Sequence, residues 1–549
     1  ERIFKLINSD YNLINWQSDH ASGLEWDSRA HASEISYGKN SADIKVPWEL
    51  GRFQHVLPYL LLGFESERMD AVAAEFRNQF LDFAAFNPPR FGVQWKCTMD
   101  VALRAFSLLA SRDALAQSGE PLPEDVSEIF TRSIFEHGEH IRKNLEWNEG
   151  ARGNHYLANI LGLIAIGIYS TGETARRWLE FATKELDKEI LYQFNSDGTN
   201  FEASTNYHVF ALEMVLWALY LLRNSDEKSR ISSESFARIR KALEFTRAIS
   251  TREGLIPQIG DNDGGRIFPL ASSVLDKRSV FMLYSILSGD SSACEYFKME
   301  VPEEKCSYYS ELITDFASYG KNISGRVVAF EDFGLYVFAN EHYLATFRCG
   351  SVGQRGKGGH AHCDQLALTL AVDGKEIVSD CGTYVYTSNP TARNRFRSSG
   401  SHSTIVLEGQ EQFPFGEKTT DDLFWIKDNK LYTDIEISGR CKIEASHNGY
   451  STRVHRQIEF FENRIHIEDS SESGDFESRF VLTPECQVEP LDCKNVSITY
   501  DSTVLSLNTK QGNVKMLTTD MSKTYGVIDT TSIISVNSNT NVIVIDLTL

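Results

Sequence analysis

At 549 residues the chain exceeds what one hydrophobic core supports, so two domains are expected, each burying its own. The formal charge of −21 excludes a general nucleic-acid binder and means that an anionic ligand must be held by a local group of cations. No apolar run approaches the roughly eighteen residues of a membrane helix, and nine cysteines without a CxxC pair make neither a disulfide framework nor a zinc ribbon.

In chain order, residues 1–323 read as an all-α domain. "DVALRAFSLLASRDALAQS", "HYLANILGLIAIGIYSTG" and "YHVFALEMVLWALYLLRNS" each repeat apolar residues at helical spacing, with short polar connections that suggest helix hairpins. Two of these helices have polar entries. "GNHYLAN" places Asn154 and His155 directly before an apolar run, and "DGTNFEASTNYH" does the same with Glu202, Tyr207 and His208. A capped helix start explains either entry without any function. A set of side chains at helix mouths on one rim explains both together. The period then switches to two. Residues 324–549, from "RVVAFEDFGLYVFANEHYLATFRCG" to "TNVIVIDLTL", run as short β-rich segments between Gly, Asn and Asp turns, which predicts an antiparallel β-sandwich.

Within this second domain, "GKGGHAHCDQLALTLAVDGKEIVSD" raises a question about its two histidines. Leu366, Leu368, Leu370 and Val372 alternate, Asp373-Gly374 supplies a tight turn, and Ile377-Val378 begins a return strand. The glycine-rich "GQRGKGG" is not a phosphate-binding loop, because that needs GK, then Ser or Thr, leading into a helix, and a strand follows here. On a strand beginning at His360, that residue, His362 and Asp364 share one face. Asp380 and His402 follow downstream. Two His and one carboxylate from neighbouring strands suit zinc or a similar divalent ion; alternatively they are ordinary polar residues at strand ends. A simple hairpin pairs Ala367, not His362, with Asp380, so a metal set needs a bulge or ligands from different strands.

Four stretches, "GNHYLAN", "DGTNFEASTNYH", "GKGGHAHCDQLALTLAVDGKEIVSDCGTYVY" and "SHSTIVLEGQEQ", together resemble the heparinase II/III-like polysaccharide lyases, which include alginate and other uronate-polymer lyases. The resemblance implies an N-terminal (α/α) toroid, a C-terminal antiparallel β-sandwich, and β-elimination at a uronic acid of an acidic polysaccharide. Elimination removes the proton at C5, beside the uronate carboxylate, and expels the 4-linked oxygen. That carbon acid is very weak until the carboxylate charge is neutralised. The family's Asn and His pair for this task maps onto Asn154 and His155, and its Tyr and His acid–base groups onto Tyr207 and His360. A tyrosine, with an unperturbed pKa of about 10, is a base only beside positive charge; as a phenol it is a ready acid. Which of Tyr207, His155 or His360 takes the C5 proton stays open at this stage. His362, Asp380 and His402 match the family's metal site, a divalent ion that orders the loop presenting the catalytic histidine; zinc is favoured, with manganese or calcium as alternatives.

Substrate charge must be met locally. Arg393, Arg395 and Arg397 in "ARNRFRSSG" stand at alternate positions, so an extended segment aims all three one way, and arginine forks suit carboxylate and sulfate. Arg152, Glu202, Trp95 and Lys96 are further candidates to line the groove, Trp95 by stacking on a sugar unless it is a core residue. The expected substrate is a glycosaminoglycan such as hyaluronan, chondroitin or heparan sulfate, with alginate or a bacterial capsule polymer as the alternative. A glycoside hydrolase on the same toroid would pair carboxylates such as Asp197 and Glu202, and a metallohydrolase would activate water on its metal. The glycoside hydrolase leaves the Asn-His pair and the His-x-His feature unexplained, and a non-catalytic binding module leaves Tyr207 and His360 without a task. No nucleic-acid partner and no membrane span are expected. The chain opens on Glu1 in place of methionine, and the expectation is a periplasmic or secreted bacterial protein whose signal peptide has been removed.

Overall fold

The computed structural model of the chain describes residues 3–39, 41–149, 152–269, 271–302, 307–314, 316–415, 423–426, 430–538 and 540–549. They form two compact units: Glu1–Tyr192 with Glu213–Ser235 and Arg266–Ser272, and Gln193–Leu212 with Phe236–Gly265 and Ser273–Leu549. Helix gives way to strand where the sequence puts the change, between a helix ending at Ile323 and a strand starting at Val327. The compact units do not follow that boundary, because residues 193–212 and 236–265 belong with the β-rich unit.

The first unit contains α1 (Lys45–Gly51), α2 (Val56–Glu65), α3 (Met69–Phe86), α4 (Thr98–Gln117), α5 (Glu124–Lys143), α6 (Asn154–Tyr169) and most of α7 (Glu173–Gln193). α6 is buried almost all round, as its nearly continuous apolar sequence requires. α5 buries a stripe through Val126, Phe130, Ile134, His137 and Ile141 and leaves its charged face wet. α4 and α6 touch at Gly162, where a Cβ would lie 2.7 Å from that of Ala102. Only glycine permits that approach. Leu161 and Ile164 beside it are fully buried, so truncating either to alanine is expected to cost about 2–5 kcal/mol. α8 (Thr205–Leu222) and α9 (Ser233–Ile249) contribute residues to both units.

The second unit holds a five-stranded meander, Val327–Phe330, Leu335–Ala339, Tyr343–Arg348, Leu368–Val372 and Lys375–Val378, with an eight-stranded and a four-stranded sheet. Phe347 and Leu370 from the first, Ile458 and Ile545 from the second, and Phe480 and Ile534 from the third share one buried core. That is the stacking of a sandwich. The Asp373-Gly374 hairpin forms as expected: Val372 pairs with Lys375, Leu370 with Val378, and a register shift marks the bulge between Leu370 and Ala371. The strand itself starts only at Leu368. His360 and His362 therefore stand in the loop before it, and the two-residue period does not set their directions. Among the described residues no helix is long and apolar enough to cross a membrane, and five of the eight described cysteines, all free, are buried.

Candidate active site

Two backbones meet at the centre of the second unit. The Asp261 N–H donates to His360 O at 3.0 Å, and the Gln354 N–H to Phe201 O at 2.6 Å. Gly260 makes the first contact feasible: its φ is +69°, and a Cβ there would lie 2.7 Å from His360 O. On this frame the fully buried Asp261 carboxylate gathers four donors. Oδ2 accepts from His360 Nδ1 at 3.0 Å, and Oδ1 from His362 Nε2 at 3.1 Å. The Arg393 guanidinium adds one hydrogen bond of 2.9 Å to each oxygen. Burial raises this carboxyl group, but the Arg393 charge and the hydrogen bonds outweigh it and hold Asp261 well below the usual carboxylate range.

His360 has a second carboxylate, since its Nε2 lies 3.0 Å from Glu202 Oε2. A ring that donates at both nitrogens is an imidazolium. Burial opposes the charge, yet the hydrogen bonds to Asp261 and Glu202 prevail and raise the pKa to about 9. Tyr207, in the first turn of α8, stacks on this cation with ring centroids 3.7 Å apart and planes at 19°. Its hydroxyl is 3.1 Å from that of Tyr386, whose ring faces the Arg393 guanidinium at 4.5 Å. Burial, then Asp263 and Asp261, push the Tyr207 phenol well above its ordinary pKa, so at neutral pH it carries its proton. The adjacent His208 is a core residue: burial lowers its pKa to about 3, and its Nδ1 accepts from the Asn200 N–H.

His362, Asp380 and His402 are brought together from three separate loops, one ligand atom from each lying within 4.8 Å of the others. All three side chains are buried. His402 Nδ1 is 2.6 Å from Asp380 Oδ2. His362 Nδ1 and His402 Nε2 are buried with no hydrogen-bond partner among the described residues, a deficit that a cation would satisfy. Two imidazoles and a carboxylate fit a divalent ion such as zinc. Asp261, on the far nitrogen of His362, supplies the outer carboxylate such ligands commonly have.

In the first unit Gly153, not Asn154, is the N-cap residue of α6, and Asn154 and His155 are its first two residues. Asn154 is buried; the His155 side chain is half exposed, with Nδ1 3.0 Å from Glu146 Oε1. The other oxygen of Glu146 accepts from the Met99 N–H and from Asn159 Nδ2. Arg152 is ion-paired with Glu189 at 2.8 Å and lies over the Tyr192 ring. Lys96 reaches Ser33 O and faces the Tyr37 ring.

Several expectations need correction. Trp95 is 2% exposed, donates its indole N–H to Asn87 O and packs against His137 and His140, so it is a core tryptophan and not a sugar platform. The arginine trio is not extended. Asn389 caps a helix over Pro390–Phe396 with Pro390 in its first turn. Arg393 and Arg397, four apart, turn to one buried side, whereas Arg395 pairs at the surface with Asp520. Arg393 serves Asp261, and Arg397 lies over Phe415 and bonds Asn394. Glu202 is the partner of His360 and not an uncommitted substrate contact. Sequence reasoning missed Asp261, Tyr386 and Glu146. The available signals were the acidic glycine-rich turn "GDNDGG" and the second tyrosine of "TYVY"; nothing marked Glu146.

Family models match nearly the whole chain: Heparinase II/III N-terminus over residues 2–281 and Heparinase II/III-like, C-terminal, over residues 322–544. Two heparin-sulfate lyases, from Pedobacter heparinus and Bacteroides stercoris, are each 22% identical over 67% of this chain, covering 53% and 54% of their own lengths. The match thus spans about half the length of these relatives. Among solved structures, a heparinase III aligns with a TM-score of 0.71 at 15% identity, covering 100% of this chain and 84% of that one. A heparan sulfate lyase from Pedobacter heparinus gives 0.61 at 18%, covering 97% and 80%. A Streptomyces coelicolor A3 chondroitin AC lyase in complex with chondroitin sulphate gives 0.53 at 11%, covering 87% and 71%. At these identities the likeness establishes the fold, an α/α toroid followed by an antiparallel β-sandwich.

Proposed function

Because the chain belongs to the heparinase II/III family, we propose that it is a polysaccharide lyase cutting a uronic-acid polymer, foremost a glycosaminoglycan, by β-elimination. The observation that carries the reading is the neutral Tyr207 phenol stacked on a His360 cation held between two buried carboxylates. A hydrolase needs two carboxyl groups flanking the sugar, one of them protonated. Here Glu202 is engaged with His360, and Asp261 with His360, His362 and Arg393. Alginate or a capsule polymer is the second reading of the substrate, supported by the same site. Access to such polymers fits a periplasmic or secreted enzyme.

In this mechanism Asn154 takes the uronate carboxylate and offsets its charge while the adjacent His155 acts at C5. His360, with a proton on each nitrogen, and Tyr207, a neutral phenol, have no basic site to offer, so the C5 proton falls to His155. The His360 charge instead stabilises phenolate character as Tyr207 passes its proton to the leaving oxygen. Glu146 on Nδ1 orients the His155 ring and fixes its proton there, so Nε2 is the basic nitrogen. His362, Asp380 and His402 would hold one divalent ion, zinc by its donors, whose task is structural: it cross-links the loop that carries His360. Incubation with hyaluronan, chondroitin, heparan sulfate and alginate tests the reading. At least one should lose chain length, and a panel left wholly intact would refute it.

The metal assignment separates the two loop histidines. His362→Ala should lose the ion and melt at a lower temperature, since a ligand that binds only the folded state stabilises it. His360→Ala should keep the ion. Elemental analysis with thermal unfolding of both variants checks this, and equal metal loss from the two would contradict it.

A further inference from the structure

We propose that Cys97, Glu146 and His155 form a second cation site, selective for a thiophilic divalent ion such as zinc or cadmium, and that filling it inhibits the enzyme. The three residues come from separate segments of the first unit: the residue before α4, the loop after α5, and the start of α6. Their donor atoms form a tight triangle. Cys97 Sγ lies 3.6 Å from Glu146 Oε1 and 3.8 Å from His155 Nδ1, and those two atoms are 3.0 Å apart. The point equidistant from the three atoms is about 2 Å from each, against roughly 2.0–2.3 Å for zinc bound by N, O and S donors. Among the described residues this set and the His362, Asp380 and His402 set are the groups with such spacing, and only this one contains sulfur. A thiolate ligand selects soft cations over magnesium or calcium.

The site is also braced. Met99 N–H and Asn159 Nδ2 hold the second Glu146 oxygen at 2.7 and 3.1 Å, so Oε1 is fixed towards the other two ligands. Cys97 is buried and makes no disulfide, while half of the His155 side chain is exposed, which gives the ion an entry path and room for a water as fourth ligand. On binding, Cys97 releases its S–H proton to solvent and its sulfur becomes a thiolate ligand. His155 presents the Nδ1 lone pair to the ion, and its ring proton moves from Nδ1, where it faced Glu146, to Nε2. Nε2 then has no lone pair for a proton, and Glu146 no longer orients the ring. The inhibitory consequence rests on the catalytic reading of His155; the binding itself does not.

Cobalt is the probe for binding. Titrating Co²⁺ into the full chain should produce a thiolate-to-cobalt charge-transfer absorption. The band should vanish in Cys97→Ser, weaken in Glu146→Gln and persist in His362→Ala, with circular dichroism verifying that each variant is folded. Added zinc should lower turnover reversibly, dilution restoring it. Relative to its own zinc-free rate, Cys97→Ser should need about 10–100-fold more zinc for the same loss, the range over which even an outer partner of a metal changes affinity. No band in the wild type, or a band that survives Cys97→Ser, overturns the site. A Cys97-dependent band without any loss of turnover upholds the site and overturns both the inhibition and the catalytic role of His155.

Discussion

Tyr207→Phe is expected to lower kcat by about 10²–10⁴-fold, the usual contribution of a general acid–base group, while the protein stays folded. Phenylalanine keeps the ring that stacks on His360 at 3.7 Å and loses only the hydroxyl that meets Tyr386. Removing that one buried hydrogen bond costs about 0.5–1.5 kcal/mol, a small shift in melting temperature. The proton for the leaving oxygen, by contrast, has no substitute on the ring. KM should change far less than kcat, because the hydroxyl acts as charge develops and not in holding the polymer. Steady-state kinetics beside thermal unfolding measures both. Near wild-type turnover would reduce Tyr207 to a ring supporting His360.

Asp261→Asn should give the largest loss of stability. The Arg393 guanidinium is 1% exposed and bonds both Asp261 oxygens, so neutralising the carboxylate leaves a buried charge uncompensated. Breaking such a pair from one side costs about 3–5 kcal/mol. The same change turns one of the two oxygens that orient His360 and His362 into an N–H donor, so turnover and metal retention should fall together. The pH dependence has a definite sign. The folded pKa of Asp261 is depressed below the unfolded value of about 3.9, so its stabilisation is present above that value and is lost as pH falls below it towards the folded pKa. The gap in melting temperature between wild type and variant should therefore be full at neutral pH and narrow under acid. Equal melting temperatures at neutral pH would show that Asp261 does not organise this cluster.

Much of this arrangement was legible before any coordinates, for particular physical reasons. The change of period from helix to strand falls between Ile323 and Val327, as the alternation predicts, because local burial patterns dominate there. The mismatch that sets Ala367 and not His362 opposite Asp380 showed that a simple hairpin cannot unite the metal set. The ligands come from separate loops, and the one-residue bulge at Leu370 does not bring His362 to Asp380. The direction of His360 and His362 was not legible, because they sit in a loop fixed by long-range contacts with residues 201 and 261. The arginine trio failed for a different reason. Asn389-Pro390 is a helix-start signal, and it prevails over the alternation of like residues that follows. Asp261 was invisible because its importance lies in four donors from positions 360, 362 and 393, and one sequence carries no record of such distances.

Elimination is tested most directly by comparing two signals on whichever polymer the protein shortens. New reducing ends count cuts of any kind, while ultraviolet absorbance counts the unsaturated uronates that only elimination creates. The two should rise in proportion throughout the digest, and both should collapse in Tyr207→Phe. Reducing ends that accumulate without absorbance would mean hydrolysis, and would contradict the assignment of Tyr207, His360, Asn154 and His155 as a lyase site.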